Sequence, residues 1–518
     1  MKKTSLIIAF LTLSFLTACQ NTTQEGAVEE TSEAPLASST QIVELNDGDT
    51  YDLESSFVEK ELNGSLYKML AYNGSIPGPT LKVKQGSTVT INFTNNTEIE
   101  TTLHSHGVRL DNAFDGVPDV TQEAIQPGET FTYSVRFDDS GVFWYHPHLR
   151  EDYAQDMGLY GNYIIVADEE DWSPVNREET LMVDDILMQG NELASYSFDE
   201  VTHTLMGRFG NTMLVNGSTD YGLTAKKGEV IRFYITNAAN TRVFNLSIPG
   251  AQMKLVGADN GLYEHDEWAD EVLLGPSERA IVEVMFAESG DFSLVHKTPD
   301  RTYTLADFQV SDEELSESYA TDFNTLKTHQ STIASIDPYR SSFESYIDKF
   351  LSIDLDMKGM GGSHSMHGGM MMDDSEMGMM NDGEPIEWED TMSMMNSTSN
   401  TDTLEWQLLD EDTEKTNMDI DDWNFKEGDL VKIQVANPDD TTHPMQHPIH
   451  IHGQRFLILS VDGVKSDNLV WKDTVLIPSG STVELLVEMS NPGEWMLHCH
   501  IPEHLESGMM MPFKVSSL

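Results

Sequence analysis

The stretch KQGSTVTINFTNN at residues 84–96 decides the fold, because a similar stretch occurs twice more along the chain. Its apolar side chains alternate with polar ones, so Val89, Ile91 and Phe93 share one face of an extended strand. The related stretches are KGEVIRFYITNAAN at 227–240 and KEGDLVKIQVANP at 426–438. Each has a lysine, then a glycine, then an alternating strand that ends in asparagine. The pattern predicts half-buried strands in a chain made of three copies of one unit.

A second element follows in each copy, at residues 126–148, 275–297 and 477–500. Each is a turn, an alternating strand, a turn containing glycine and another strand. Short, evenly spaced strands with few helical stretches predict an all-β fold of antiparallel sandwiches or barrels. Three such units account for most of the chain.

Histidines occupy equivalent places in the first and third copies. Residues i and i+2 of a strand point to the same side, so each His-x-His pair presents two imidazoles together. Ten of the seventeen histidines lie in these windows. They are the pairs His104/His106, His146/His148, His450/His452 and His498/His500, with His447 and His504 beside the last two. A single histidine is usually structural, but four pairs in register with a repeat predict a metal centre. The middle copy lacks these pairs and is predicted to be a spacer.

Cys499 narrows the identity of the metal, since imidazole ligands alone suit copper, zinc, iron or nickel. With His447 and His504 it supplies two nitrogens and a thiolate, and Met509 follows ten residues later. Two histidines, one cysteine and a weak axial methionine form the blue-copper arrangement, which transfers single electrons. A structural zinc site would use four strong ligands and leave the other histidines without a role. The residues therefore favour copper.

The windows HSHG, WYHPH, HPIHIHG and HCHIPEHLESGM resemble, in order, the four copper motifs of the multicopper oxidases. This family includes laccases, ferroxidases and cuprous oxidases. The resemblance covers roughly residues 43–518 and implies three cupredoxin-like Greek-key β-sandwich or barrel domains. It also implies four coppers: a type 1 copper held by His447, Cys499, His504 and Met509; a type 2 copper held by His104 and His450; and a type 3 pair held by His106, His146, His148, His452, His498 and His500.

The resemblance further implies an enzyme that takes single electrons from a substrate and reduces dioxygen to water. Cys499 lies between His498 and His500 in the chain, which offers a bonded route from the type 1 site to the type 3 pair. Asp115 matches an acid that family members keep near the type 2 and type 3 coppers, and we expect it to relay protons. Many bacterial relatives have a second acid directly after the type 1 histidine, where this chain has Leu505. Glu503 and Glu506 are the candidates nearby, and the sequence leaves their roles open.

The first residues predict export. Lys2 and Lys3 precede a short apolar run that ends in Leu-Thr-Ala-Cys19, which resembles the lipobox of bacterial lipoproteins. We expect a signal peptide at 1–18, a polar tether at 19–42 and a lipid on Cys19. The lipid would hold the protein at the outer face of the bacterial cytoplasmic membrane. The expected domains are 43–170, 171–340 with a linker, and 341–518 with an insert at 357–403.

The net charge of −57 argues against nucleic acid or an anionic lipid surface as a partner. The stretch from 357 to 396 instead suggests a metal substrate, because it holds twelve methionines and two histidines among glycine, serine and aspartate. Thioethers are soft ligands that select Cu(I). Bacterial cuprous oxidases are similar in carrying a methionine-rich insert here. Candidate Cu(I) ligands are Met357, Met360, His364, Met366, His367 and Met445, the last matching a substrate methionine of those enzymes.

We therefore expect oxidation of Cu(I) in copper tolerance. In the cuprous oxidases an acid stands two positions before the methionine that Met445 matches, and this chain has His443 there. Two alternatives remain open: a laccase-like oxidase of phenols, Fe(II) or Mn(II), and a non-enzymatic copper-storage lipoprotein. Storage proteins of this fold lose copper ligands, whereas this chain has every one.

Overall fold

The first repeat forms two facing sheets. A computed structural model of the protein describes residues 34–167, 172–358 and 384–518. The strands are β1 (Ile42–Leu45), β2 (Thr50–Leu62), β3 (Ser65–Tyr72), β4 (Thr80–Lys84), β5 (Thr88–Asn95), β6 (His104–His106), β7 (Thr130–Arg136), β8 (Gly141–His146) and β9 (Gly161–Val166). One sheet has the order β1-β4-β9-β8-β6 and the other β3-β2-β5-β7. A 3-10 helix, Asn112–Phe114, and helix α1 (Glu151–Ala154) lie in the connections.

The second repeat has the same two-sheet plan. Its strands are β10 (Arg177–Ile186), β11 (Met188–Gln189), β12 (Glu192–Leu193), β13 (Thr212–Val215), β14 (Gly222–Lys226), β15 (Val230–Asn237), β16 (Phe244–Ser247), β17 (Gln252–Ala258), β18 (Gly261–Ala269), β19 (Val272–Leu274), β20 (Arg279–Met285), β21 (Gly290–Lys297) and β22 (Thr302–Ser311). The main sheets have the orders β13-β10-β15-β20-β17-β18 and β14-β22-β21-β16-β19. The link to the third repeat contains α2 (Ala320–Phe323), α3 (Gln330–Ile336) and a 3-10 helix, Asp337–Ser342.

The third repeat completes the series. Its strands are β23 (Lys349–Met357), β24 (Leu404–Asp410), β25 (Lys415–Thr416), β26 (Asn424–Lys426), β27 (Asp429–Ala436), β28 (His447–Ile451), β29 (Arg455–Val461), β30 (Val464–Lys465), β31 (Thr474–Ile477), β32 (Thr482–Met489), β33 (Gly493–Cys499) and β34 (Met510–Ser516). The sheets have the orders β25-β24-β23-β27-β32-β29-β30 and β26-β34-β33-β28-β31. Helices α4 (Ser393–Thr398) and α5 (Pro502–Glu506) and the 3-10 helix Asn417–Asp419 lie in its loops.

The all-β prediction is confirmed, but the expectation of antiparallel sheets is wrong in part. Strands β2 and β5 run parallel, as do β10 and β15 and also β23 and β27. A parallel neighbour arises when the chain crosses to the facing sheet and returns in the same direction. Each repeat therefore has mixed sheets around its own apolar core.

The half-buried strand prediction is confirmed for the outer repeats and wrong for the middle one. In β5, Val89, Ile91 and Phe93 are buried while the residues between them are partly exposed. In β15 every residue is buried. The polar face of β15 is covered because Tyr234 packs in one apolar cluster with Val142 of the first repeat.

Pro35–Leu518 forms one compact unit. The strands on either side of the methionine-rich insert are β23 and β24, which pair antiparallel with Met357 opposite Leu404. The insert therefore connects two neighbouring strands of the third repeat. Within the described ranges, no helix has the length and apolar character needed to cross a membrane. The predicted signal peptide and Cys19 lie outside the described residues, and the domain boundaries stay predictions.

Candidate metal centre

Strand pairing brings the histidine windows face to face. In the first repeat β6 runs antiparallel to β8, with His104 opposite His146. In the third repeat β28 runs antiparallel to β33, with His450 opposite His498. The same two-residue spacing on both strands of each pair places the imidazoles on one side of each sheet.

Eight buried imidazoles from the first and third repeats then meet in one place, which we call the histidine cluster. Ring centroids of His106 and His450 are 3.7 Å apart, and those of His104 and His452 are 4.3 Å apart. His148 of the first repeat lies 5.2 Å from His498 of the third. The members are His104, His106, His146, His148, His450, His452, His498 and His500. Several triplets have ligand atoms within 4.8 Å of one another, as a shared metal requires.

Hydrogen bonds hold three of these rings by one nitrogen and leave the other free. Nδ1 of His104, His146 and His450 lies 2.6–2.8 Å from a main-chain carbonyl, that of Asp115, Pro147 and Asp473 respectively. The Nε2 atom of each of these rings is buried without a hydrogen-bond partner. An imidazole that donates from one nitrogen presents a lone pair on the other, as metal ligands do.

His452 and His498 give the sharpest test of fit. His452 Nδ1 lies 2.9 Å from Asp115 Oδ2, and His498 Nδ1 lies 2.8 Å from the carbonyl oxygen of Cys499. If both rings donate there, their Nε2 atoms, 2.9 Å apart, face each other with lone pairs. Two lone pairs at this distance repel each other, and a cation bound to both nitrogens removes the repulsion. The donor set therefore fits bound metal.

Burial keeps these rings in the neutral form that binds metals. Burial, reinforced by neighbouring imidazoles, lowers the pKa of His106, His146, His148, His450 and His498 well below the ordinary value. A neutral imidazole has the free electron pair that a metal ligand needs. The cluster is therefore ready to bind metal at neutral pH.

A second group, the sulfur site, lies in the third repeat. Cys499 Sγ is 3.6 Å from His447 Nδ1 and 3.8 Å from His504 Nδ1, and the two nitrogens are 3.2 Å apart. All three residues are buried. Met509 is buried beside them, and its carbonyl oxygen accepts a hydrogen bond from the Cys499 amide at 3.1 Å. Two nitrogens and one sulfur at these distances fit a thiolate-bound metal.

Trp406 packs on both rings of the sulfur site. Its ring centroid lies 4.6 Å from that of His447 and 4.5 Å from that of His504. Its indole N–H donates to the carbonyl oxygen of Thr204, which belongs to the second repeat, at 2.8 Å. Burial raises the pKa of the Cys499 thiol above its ordinary value. The thiol therefore needs a cation beside it to become the thiolate ligand.

Two glycines of the motifs are explained by contacts of this centre. Gly107 follows the first histidine pair with φ +79°, and a Cβ there would lie 2.1 Å from Asp473 Oδ2. Gly453 follows the third pair with φ +64°, and its Cβ would lie 2.4 Å from the ring of Trp495. Both positions therefore combine a left-handed backbone with a close neighbour.

The acids fall in three places. Asp115 touches the histidine cluster through its side chain at His452 and its carbonyl oxygen at His104. Glu503 accepts a hydrogen bond from Asn240 of the second repeat at 3.1 Å, and burial raises its pKa well above the ordinary value. Burial, with Asp152 nearby, raises the pKa of Glu506 to about 7. The proton-relay roles of all three stay predictions, and Leu505 is buried.

Sequence reasoning missed three residues at the cluster. Glu151 lies 3.5 Å from His148 and 3.9 Å from His146. Both of its carboxylate oxygens are buried without a hydrogen-bond partner. An acid three positions after a His-x-His pair was the local signal that could have found it. Asp473 and Arg279, described below, have no such local signal.

The candidate substrate residues are only partly described. Met445 is fully buried and belongs to the same apolar core as Cys499 and Trp406. His443, two positions earlier, is 4% exposed. Met357 is partly buried at the end of β23. Met360, His364, Met366 and His367 lie outside the described residues.

The chain is similar to curated proteins and to solved structures along most of its length. The chain is 29% identical over 457 residues to "Multicopper oxidase mco" of Staphylococcus epidermidis, covering 86% of this chain and 84% of that protein. It is 24% identical over 613 residues to "Copper resistance protein A" of Escherichia coli, covering 93% and 94%. Among solved structures, the multicopper oxidase from Campylobacter jejuni, described as a metallo-oxidase, matches with a TM-score of 0.67 and 24% identity. That match covers 93% of this chain and 98% of the other.

Family models agree along most of the chain. Three models described as multicopper oxidase match residues 58–170, 164–313 and 385–517, one for each repeat. The chain therefore belongs to the multicopper oxidase family, copper-binding oxidoreductases that use dioxygen as the electron acceptor.

Proposed function

We propose that this multicopper oxidase oxidises Cu(I). The observation that carries the proposal is the position of the methionine-rich insert. The insert leaves β23 at Met357 and re-enters at β24, which carries Trp406, the residue packed on both histidines of the sulfur site. Thioethers select Cu(I) over harder ions. Cu(I) gathered by the insert would arrive next to the residues that receive its electron.

The end of the insert is fixed against this region. Met392 packs on the apolar core that contains Cys499. Asn396, in α4, accepts a hydrogen bond from the Met206 amide at 3.0 Å and donates to the Gly207 carbonyl oxygen at 2.8 Å. Met394 beside it is 85% exposed. A soft ligand thus stands in solvent on a helix that begins directly after Met392, which packs on the apolar core that contains Cys499.

The ligand assignment is part of the proposal. The sulfur site, with Met509, would hold the type 1 copper. Of the histidine cluster, His104 and His450 would hold the type 2 copper and the other six the type 3 pair. Together these residues would hold four coppers, whose chemistry would be to take electrons one at a time and to supply four to dioxygen. The assignment is supported by the free ring nitrogens of the cluster and by the 3.6–3.8 Å approach of sulfur to the two nitrogens.

The experiment replaces the ligands of residues 359–383 and leaves the docked end intact. All eight methionines and both histidines in this range become serine, so the length of the loop does not change. We expect kcat/KM for Cu(I) to fall while kcat/KM for a phenol stays the same, with oxygen uptake as the assay. A deletion of 359–383 serves as the comparison. Equal retention of both activities would refute the role of the insert.

A second candidate is a laccase-like oxidase. The support is the resemblance to the multicopper oxidases, which include laccases, because the fold and the ligand set do not name the electron donor. Oxygen uptake by the copper-loaded enzyme with Cu(I), Fe(II), Mn(II) and a phenol ranks the donors. A higher kcat/KM for the phenol than for Cu(I) would favour the laccase. A copper-storage protein would show no oxygen uptake with any donor.

We also propose that the protein is an exported lipoprotein anchored through Cys19. The support is the apolar run followed by Leu-Thr-Ala-Cys at the start of the chain. Cys19→Ser should move the protein from the membrane fraction to the soluble fraction of a bacterial host. Continued membrane association of this variant would contradict the anchor.

A further inference from the structure

The second repeat supplies none of the proposed copper ligands, yet one of its side chains reaches the centre. Arg279 is the first residue of β20 and is fully buried. Its guanidinium donates to both carboxylate oxygens of Asp473 in the third repeat, at 2.6 and 2.5 Å. A two-pronged contact of this kind fixes the orientation of the carboxylate as well as its charge.

Asp473 in turn contacts two members of the histidine cluster. Its Oδ1 atom lies 3.1 Å from His106 Nε2, and its carbonyl oxygen lies 2.8 Å from His450 Nδ1. The Thr474 hydroxyl lies 2.9 Å from the same nitrogen of His106. The opposite nitrogens, His106 Nδ1 and His450 Nε2, are buried without a partner. Asp473 therefore sets the direction in which one ring of the first repeat and one of the third present their free nitrogens.

Arg279 is itself held in place by contacts that involve the first and third repeats. Its Nε atom donates to the carbonyl oxygen of Val142 in the first repeat at 2.9 Å. Its main-chain amide donates to Asp259 Oδ1 at 2.9 Å, and Lys472 lies 3.0 Å from the other oxygen of Asp259. The guanidinium therefore sits at a point where all three repeats meet. It has no freedom to turn away from Asp473.

We infer that Arg279, acting through Asp473, is a positioning residue for the type 2 copper and the type 3 pair. This inference rests on the ligand assignment proposed above. Without the guanidinium, Asp473 becomes a buried carboxylate with its main counter-charge removed. The carboxylate would then move toward other donors, and His106 Nε2 would lose the contact with Asp473 Oδ1 that orients its ring. The second repeat thus does more than separate the outer two.

The test compares Arg279→Gln and Arg279→Lys with the wild type. The readouts are copper bound per chain, the type 2 electron-paramagnetic-resonance signal and the blue thiolate absorption of the sulfur site. Copper titration of the metal-free protein measures affinity without any turnover. We expect Arg279→Gln to lose affinity at the cluster by about 10- to 100-fold, the usual effect of removing a residue that orients a ligand. Arg279→Lys should recover part of this loss, since it keeps the charge but not the two-pronged contact.

The matched control is Arg232→Gln. Arg232 lies in β15, the neighbour of β20 in the same sheet, and is also buried, with Glu283 Oε1 at 2.6 Å from Nη2. The Arg232→Gln substitution should lower the stability of the protein and leave the type 2 signal intact. The blue absorption should persist in every variant. Equal loss of the blue absorption and the type 2 signal in Arg279→Gln would mean a purely structural role.

Unchanged cluster affinity in Arg279→Gln would also overturn the inference. If this variant does not accumulate as folded protein, Arg279→Lys provides the test. We expect it to bind copper more weakly at the histidine cluster than the wild type does, and unchanged binding would refute the inference. A wild-type protein that binds copper without any type 2 signal would instead show that the ligand assignment is wrong. The two failures are therefore distinguishable.

Discussion

Gly107→Ala should damage the protein in a way that a glycine of the same backbone conformation does not. Gly107 has φ +79° and Gly86 has φ +83°, so an alanine at either position takes a left-handed backbone. That conformation costs roughly 1–2 kcal/mol. A Cβ at Gly86 meets nothing within 4 Å, whereas at Gly107 it would lie 2.1 Å from Asp473 Oδ2 and 3.1 Å from Arg279 Nη2. Overpacking adds roughly 1–3 kcal/mol.

The expected loss of unfolding free energy is therefore about 2–5 kcal/mol for Gly107→Ala and about 1–2 kcal/mol for Gly86→Ala. Urea denaturation of the copper-free proteins, followed by tryptophan fluorescence, measures the difference. Because the new methyl group displaces Asp473, Gly107→Ala should also weaken copper binding at the histidine cluster while the blue absorption stays. Equal stability losses in the two variants, with equal copper content, would refute the contact and the reasoning built on it.

Three further outcomes are expected. Cys499→Ser should abolish the blue absorption and leave the type 2 resonance signal, which spectroscopy of the copper-loaded variant checks. Trp406→Phe leaves the Thr204 carbonyl oxygen without its donor, so we expect a loss of about 1–3 kcal/mol in urea denaturation and a shifted blue absorption. Met445→Leu nearly conserves volume in the core and should cost less than about 1.5 kcal/mol. If Met445 binds Cu(I), this variant should have a lower kcat/KM for Cu(I) in steady-state oxygen uptake and an unchanged kcat/KM for a phenol. An equal fall in both values would point to packing alone.

The strands and the metal-binding residues could be predicted because both depend on the spacing of residues within short stretches of sequence. Val89, Ile91 and Phe93 alternate with polar residues, and that spacing alone places them on one face. The His-x-His pairs need only the two-residue period of a strand to present two rings together. These predictions depend on neighbours in the chain, which the sequence displays directly.

Predictions failed where a distant part of the chain covers or contacts a residue. Strand β15 reads as half-buried, but Tyr234 is covered by Val142 and its neighbours from the first repeat. Glu151 was not among the predicted site residues, yet it lies beside two buried histidines. Exposure and contact of this kind depend on how the repeats pack against one another, and the periodicity of a short stretch of sequence does not depend on that packing.

By itself, the sequence determined the three-repeat all-β architecture and the ten histidines and one cysteine that could bind copper. Only the tertiary structure decided which ring nitrogens are free and which residues orient the rings. The reason is distance along the chain: Arg279 and Asp473 are separated by 194 positions, and Asp115 and His452 by 337. Such pairs come together only when three folded repeats close around a shared centre.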